Sequence, residues 1–234
     1  MGTKSDKKEE ERMAVAVNEV VGALKELKPL SIALMGSFAR GEWHAVSDAE
    51  LAVIFEDAEY RSRTMLRQYA TKEVRVYPFR RSELEALKSV VPFPRGSYFW
   101  WLKNTAKTLW GAPIVENLVV SVTPDDWKEE IVFQRGMALA AMISFRNGDK
   151  QTASHGFSKS CLFATVAALA LKGKEVFLFG EAVALAAEEF SDFGELIEKA
   201  KAVWQGKAEV EERDIFQNFE YLLSLETLFP GRGQ

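Results

Sequence analysis

Apolar positions along the 234 residues change their spacing once. Between about residues 30 and 120, short apolar runs alternate with turn signals. From about 124 to 229 they recur three and four apart, the spacing of helices that bury one face. Before the first run, Met13, Val17, Val20, Val21, Leu24 and Leu27 predict a helix over about 7–27, stopped by Pro29. "LSIALMG" reads as a buried strand ending at Gly36, and "AELAVIF" as a second. "KEVRVYPF" alternates, with Val74 and Val76 on one face and Glu73, Arg75 and Tyr77 on the other. "RSRTMLRQYA" suits a helix, "FARGEW" a short helix or turn, and "RSELEALKSV" a short helix capped by Ser82. The aromatic stretch from Pro92 to Ile114 shows no clear period.

In the second half, Thr123 is a candidate cap with Pro124 at the first helical position. Trp127, Ile131, Ala138, Met142 and Phe145 then line one face. Phe157, Cys161, Ala164, Ala168 and Leu171 line the next helix, which Gly173 ends. A shorter helix is expected over about 181–190, another from an Asp192/Glu195 capping box to near Gly206, and a last one over about 209–229 stopped by Pro230. Helices of this length on short connections pack antiparallel. The expected fold is α+β, a small mixed sheet with flanking helices over 1–120 and an all-α antiparallel bundle over 121–234.

Composition narrows the class. The chain is 47% hydrophobic and 27% charged, ordinary for a globular protein. A net charge of −4 argues against broad nucleic-acid binding. Cys161 is the single cysteine, so no intrachain disulfide forms and a cytoplasmic setting is expected. No apolar run is long enough to span a membrane, and "MGTKSDKKEEER" lacks the apolar centre of a signal peptide. Two histidines and one cysteine, far apart, speak against a zinc site. No Walker loop or dinucleotide fingerprint is present.

The chemistry concentrates in "MGSFARGEWHAVSDAELAVIF", Met35 to Phe55. Gly36 lets backbone approach a phosphate, and Ser37 adds a hydroxyl. Asp48 and Glu50, two apart on a strand, point to one side and can share a hard divalent cation such as Mg²⁺ or Mn²⁺.

"GSFARGEWHAVSDAEL" resembles the signature of the nucleotidyltransferase superfamily typified by DNA polymerase β, its small bacterial and archaeal members in particular. Gly36, Ser37, Ala39, Arg40, Gly41, Ser47, Asp48 and Leu51 match it without a gap. "AKTLWG", Ala106 to Gly111, is similar to the family's weaker Leu-Tyr-Gly element. The helical half resembles the bundle that follows the core in aminoglycoside nucleotidyltransferases. The resemblance implies Mg²⁺, a nucleoside triphosphate donor (ATP is the one expected), and release of pyrophosphate. Gly36, Ser37 and Arg40 would then hold the nucleotide, and Asp48 and Glu50 the metal. Two positions depart from the pattern: Glu50 replaces the second aspartate, and Ala49 a larger apolar residue.

A third family acid stands on a neighbouring strand. Glu73 would preserve it, whereas Arg75 in its place would pair with Asp48 or Glu50 and compete with the metal. Glu129 and Glu130 are alternative bases from the bundle. The expected function is transfer of a nucleoside monophosphate to a hydroxyl of a small-molecule or macromolecular acceptor. The alternative is a catalytically impaired nucleotide-binding or interaction module. Blander readings apply elsewhere: His44 and His155 as loop and cap residues, Cys161 as core, Tyr98 to Trp101 as packing. Oligomeric state stays open, a homo-oligomer included.

Overall fold

The computed structural model describes residues 4–44, 47–88 and 93–229, with side chains from residue 9 onward. The chain forms two compact units, Met1–Val91 with Phe99–Val120, and Pro92–Tyr98 with Ser121–Gln234. No helix among the described residues is long and apolar enough to cross a membrane.

The first unit is built on a four-stranded mixed sheet of order β3-β2-β1-β4. Strands β1 (Ser31–Met35) and β2 (Ala49–Phe55) are antiparallel, with Leu34 opposite Leu51 and Met35 opposite Glu50. Strand β3 (Val74–Arg80) runs parallel to β2 and places Arg75 opposite Glu50. Strand β4 (Lys107–Gly111) pairs antiparallel with β1, with an irregularity between Ile32 and Ala33. β3 tolerates Pro78 because it is an edge strand, where a missing N–H breaks no ladder.

The period of two divides each strand between two faces. Ala49, Leu51, Val53 and Phe55 of β2 join Ile32, Leu34, Val74 and Val76 in one core. Helix α1 (Lys4–Lys25) covers it with Met13, Val17, Val20, Val21 and Leu24. Each large apolar side chain so buried contributes about 1.5–3 kcal/mol. The opposite parity carries Met35, Glu50, Arg75 and Tyr77, and therefore the polar site. Short helices α2 (Gly36–Arg40), α3 (Arg63–Leu66) and α4 (Arg81–Glu85) fill the connections. Helix α5 (Arg95–Thr105) precedes β4.

The second unit holds α6 (Pro124–Arg146), α7 (Lys150–Leu171), α8 (Phe179–Glu189), α9 (Gly194–Trp204) and α10 (Glu212–Leu228). α6 opens as its sequence predicts: Thr123 accepts from Asp126 N–H, Asp126 Oδ2 accepts from Thr123 N–H at 2.7 Å, and Pro124 follows the cap. α7 lies so close to α6 that a Cβ on Gly156 would sit 2.8 Å from that of Ala141. Asn218 donates to Ser160 Oγ at 2.8 Å, and Tyr221 bonds Thr165 at 3.0 Å, tying α10 to α7.

Two caps differ from expectation. Ser82 lies inside α4; Arg80 is the cap residue, its N–H donating to Glu83 Oε2 at 2.9 Å, while Ser82 N–H donates to Asp57 Oδ1. Asp192 does not cap α9, because Phe193 N–H bonds Phe190 O at 2.9 Å and closes a 3-10 turn there. A cap requires extended backbone at that point. The helix read in "RSRTMLRQYA" shrinks to α3, capped by Ser62, plus a 3-10 turn.

Candidate functional site

β1 ends at Met35, and the chain turns straight into α2. Gly36 makes that turn at φ +75°, a conformation that costs an L-residue about 1–2 kcal/mol. Space demands glycine as well. A Cβ there would lie 2.2 Å from Glu50 Oε2, so the Glu50 carboxylate rests against the loop backbone. Ser37, half-buried, follows at the start of α2. Gly41, at φ +72°, closes the helix with its N–H on Phe38 O.

Two local bonds deliver the acids. His44 N–H donates to Ser47 Oγ at 3.1 Å, and Ser47 N–H returns to His44 O at 2.7 Å. Ala49 N–H then donates to Glu73 O at 2.8 Å, fixing the entry of β2 beside that of β3. Asp48 and Glu50 flank Ala49, and Glu50 stands between Met35 on β1 and Arg75 on β3.

The register brings Arg75 to the acids. Its guanidinium forms an ion pair with Asp48. Tyr77, two residues on, donates its hydroxyl to Glu50 Oε1 at 3.3 Å. Burial, and then the charge of Glu50, push that phenol above its ordinary pKa. Glu73 stands at the entrance of the same strand, half-buried, its N–H on Thr71 Oγ1. Among the described residues, no hydrogen bond or ion pair joins its carboxylate to Asp48 or Glu50. Nor do these residues include a group of three or more His, Cys, Asp or Glu side chains arranged to hold a metal.

Arg40, the last residue of α2, meets an acid and an aromatic ring. Its Nε donates to Glu42 Oε2 at 3.2 Å, and its guanidinium stacks 5.1 Å from the centre of the Trp101 ring. Burial draws its pKa below the ordinary value, with Glu42 opposing that shift. Phe99, Trp100 and Trp101 are buried, the two indoles meeting edge to face at 5.5 Å. Of the two bundle candidates, Glu129 is exposed and Glu130 is buried. Glu130 accepts from Ser97 Oγ and, at 2.6 Å, from Gln134 Nε2, yet burial still raises its pKa. Cys161 is fully buried, and burial drives its thiol pKa upward, as befits a core residue.

Tyr77 is the site residue that sequence reasoning passed over. Its signal was present, since it shares a strand face with Glu73 and Arg75.

Residues 17–132 match the protein family described as a nucleotidyltransferase domain. Among solved structures, the chain is similar to spectinomycin adenyltransferase AAD(9) from Enterococcus faecialis, crystallised with ATP and spectinomycin. That likeness has a TM-score of 0.61 at 14% identity and covers 93% of this chain and 99% of the other, a likeness of fold. No curated protein matches the sequence.

Proposed function

We infer, from a chain that belongs to the nucleotidyltransferase superfamily, that it transfers AMP from ATP to a hydroxyl of a small-molecule acceptor and releases pyrophosphate. The observation that supports this most directly is the placement of the acids. Asp48 immediately precedes β2 and Glu50 lies on it, packed against the glycine that opens the Gly36-Ser37 loop. A triphosphate held by that loop would present its α-phosphorus beside two carboxylates. The structural neighbour's own pairing of ATP with a small molecule supports the choice of donor and of acceptor size.

The donor set suits a hard cation. Two carboxylates from adjacent positions on one strand face, completed by phosphate oxygens and water, are usual company for Mg²⁺. Asp48 and Glu50 would hold it, and its chemistry there would be neutralisation of charge on the phosphate oxygens. The chain's own residues do the rest. Gly36 and Ser37 orient the triphosphate by backbone N–H and hydroxyl. The acceptor oxygen attacks the α-phosphorus, the new P–O bond forms as the α–β bridging bond breaks, and pyrophosphate carries off the electron pair. Glu73, at the entrance of β3, is the side chain proposed to take the hydroxyl proton.

A second reading, nucleotide binding without transfer, is favoured by the Arg75–Asp48 ion pair, which occupies one of the two carboxylates. Calorimetric titration of a non-hydrolysable ATP analogue separates the two. Binding that needs Mg²⁺ and is lost in Asp48→Ala supports transfer chemistry. Binding indifferent to Mg²⁺ and to that substitution supports the second reading. Absence of binding to the unaltered chain refutes both.

A further inference from the structure

A cavity of about 380 Å³ opens on the outer edge of β3, lined by Arg63, Thr64, Arg67, Ala70, Arg75 and Val76. Three of its six lining residues are arginines. The sequence is locally basic here, with Arg61, Arg63, Arg67, Lys72 and Arg75 against the single acid Glu73 between Tyr60 and Arg75, in a chain of net charge −4. Among the described residues, no carboxylate pairs with Arg63 or Arg67. Arg63 instead lies over the Tyr77 ring, 4.7 Å from its centre. Two guanidinium groups without a carboxylate partner among the described residues, beside a third held by Asp48, line one depression, and such forks are donors that a phosphate or carboxylate group accepts, often bidentately.

The cavity is joined to the acid pair through two residues. Arg75 lines it and reaches Asp48; Tyr77 carries Arg63 on its ring and touches Glu50 with its hydroxyl. Strand order decides which substrate it faces. The Gly36-Ser37 loop leaves β1, on one side of β2, and Arg75 stands on β3, on the other, with Arg63 and Arg67 on α3 and the 3-10 turn that follows it, before β3. Neighbouring strands lie about 4.8 Å apart, so the strand that feeds the loop and the strand that carries Arg75 stand about 10 Å apart across β2. A donor triphosphate on the loop therefore leaves the arginine side to the second substrate.

We propose that this pocket binds the acceptor, and that the acceptor is an anion, a small hydroxyl compound bearing a phosphate group, rather than a cationic one. A polycation would meet Arg63, Arg67 and Arg75 as like charges. The proposal rests on the transfer reading above for the role of acceptor, and on the arginine geometry alone for the anion.

The test titrates inorganic phosphate into the full chain by nuclear magnetic resonance, alone and with the ATP analogue and Mg²⁺ at saturation. The unaltered chain is expected to bind phosphate saturably in both conditions. Arg63→Ala/Arg67→Ala, and separately Arg67→Glu, are expected to weaken phosphate at least tenfold while changing the affinity for the ATP analogue less than twofold. Both arginines are exposed, so the variants should keep the parent melting temperature, which is measured alongside. Phosphate affinity unchanged by the substitutions overturns the pocket. Phosphate binding lost on saturation with the analogue, or analogue affinity falling in step with that for phosphate, assigns the arginines to the donor and overturns the acceptor role. If the analogue fails to bind the unaltered chain, the transfer reading falls by itself, and arginine-dependent binding of phosphate alone still upholds the anion site.

Discussion

Gly36→Ala tests whether the contact between loop and acid is what makes the site. The substitution has two separable costs. One is conformational: at φ +75°, alanine forfeits about 1–2 kcal/mol of stability. The other is a collision: the new Cβ would stand 2.2 Å from Glu50 Oε2, so the carboxylate must retreat by about 1 Å or more. Misplacing a reacting or ligating group by about 1 Å costs on the order of 10²-fold. Gly41→Ala supplies the control. Gly41 has nearly the same angle, φ +72°, but nothing lies within 4 Å of its would-be Cβ. Both variants should therefore lose similar stability, seen as a fall of several °C in calorimetric melting. Only Gly36→Ala should lose, by about tenfold or more, the Mg²⁺-dependent part of ATP-analogue binding. Equal binding by the two variants would refute the reasoning, since backbone strain would then account for everything and the position of Glu50 for nothing.

Three further outcomes are expected. Arg75→Gln frees Asp48 from an ion pair whose arginine side chain is 60% exposed, an interaction worth about 0.2–1 kcal/mol. Mg²⁺ affinity without nucleotide, read by calorimetry, should rise by up to about fivefold; a fall would mean that Arg75 organises the acids instead of competing for one. Glu130 has a folded pKa raised by burial, so its contribution to stability is full below its unfolded value of about 4.5 and lost as pH rises through the folded one. Melting from pH 4 to 8 should show Glu130→Gln gaining on the parent as pH rises, and parallel curves would contradict a buried ionisation. Gly156→Val adds bulk where a Cβ on α7 would already stand 2.8 Å from that of Ala141 of α6, and should cost about 1–3 kcal/mol by denaturant titration; a neutral result would show that the two helices part freely.

Much of the fold was legible because its causes are local. The cap at Thr123, the stop beyond Leu24 and the αL glycine after α7 each depend on residues within one turn of one another. So does the candidate site's first half, because glycine, serine and two acids sit on one loop and the strand it feeds. β4 was obscure for an equally physical reason: its residues alternate only between exposed and half-buried, which leaves no apolar period to read.

What the sequence determined by itself was therefore the long helices α1, α6, α7 and α10 and the Gly36-Ser37 turn, all set by spacings of two to four residues. It also gave Glu73, Arg75 and Tyr77 one parity in the stretch that forms β3 and its entrance, but a period of two cannot rank three residues of equal parity. Only the pairing of β2 with β3 put Arg75 opposite Glu50, its guanidinium on Asp48 and the Tyr77 hydroxyl on Glu50. Likewise only packing turned Arg40 to Glu42 and Trp101, a ring 61 positions along the chain from it. Contacts between strands and across long loops are chosen by the burial of whole faces, a property of the assembled sheet that no short stretch of sequence contains.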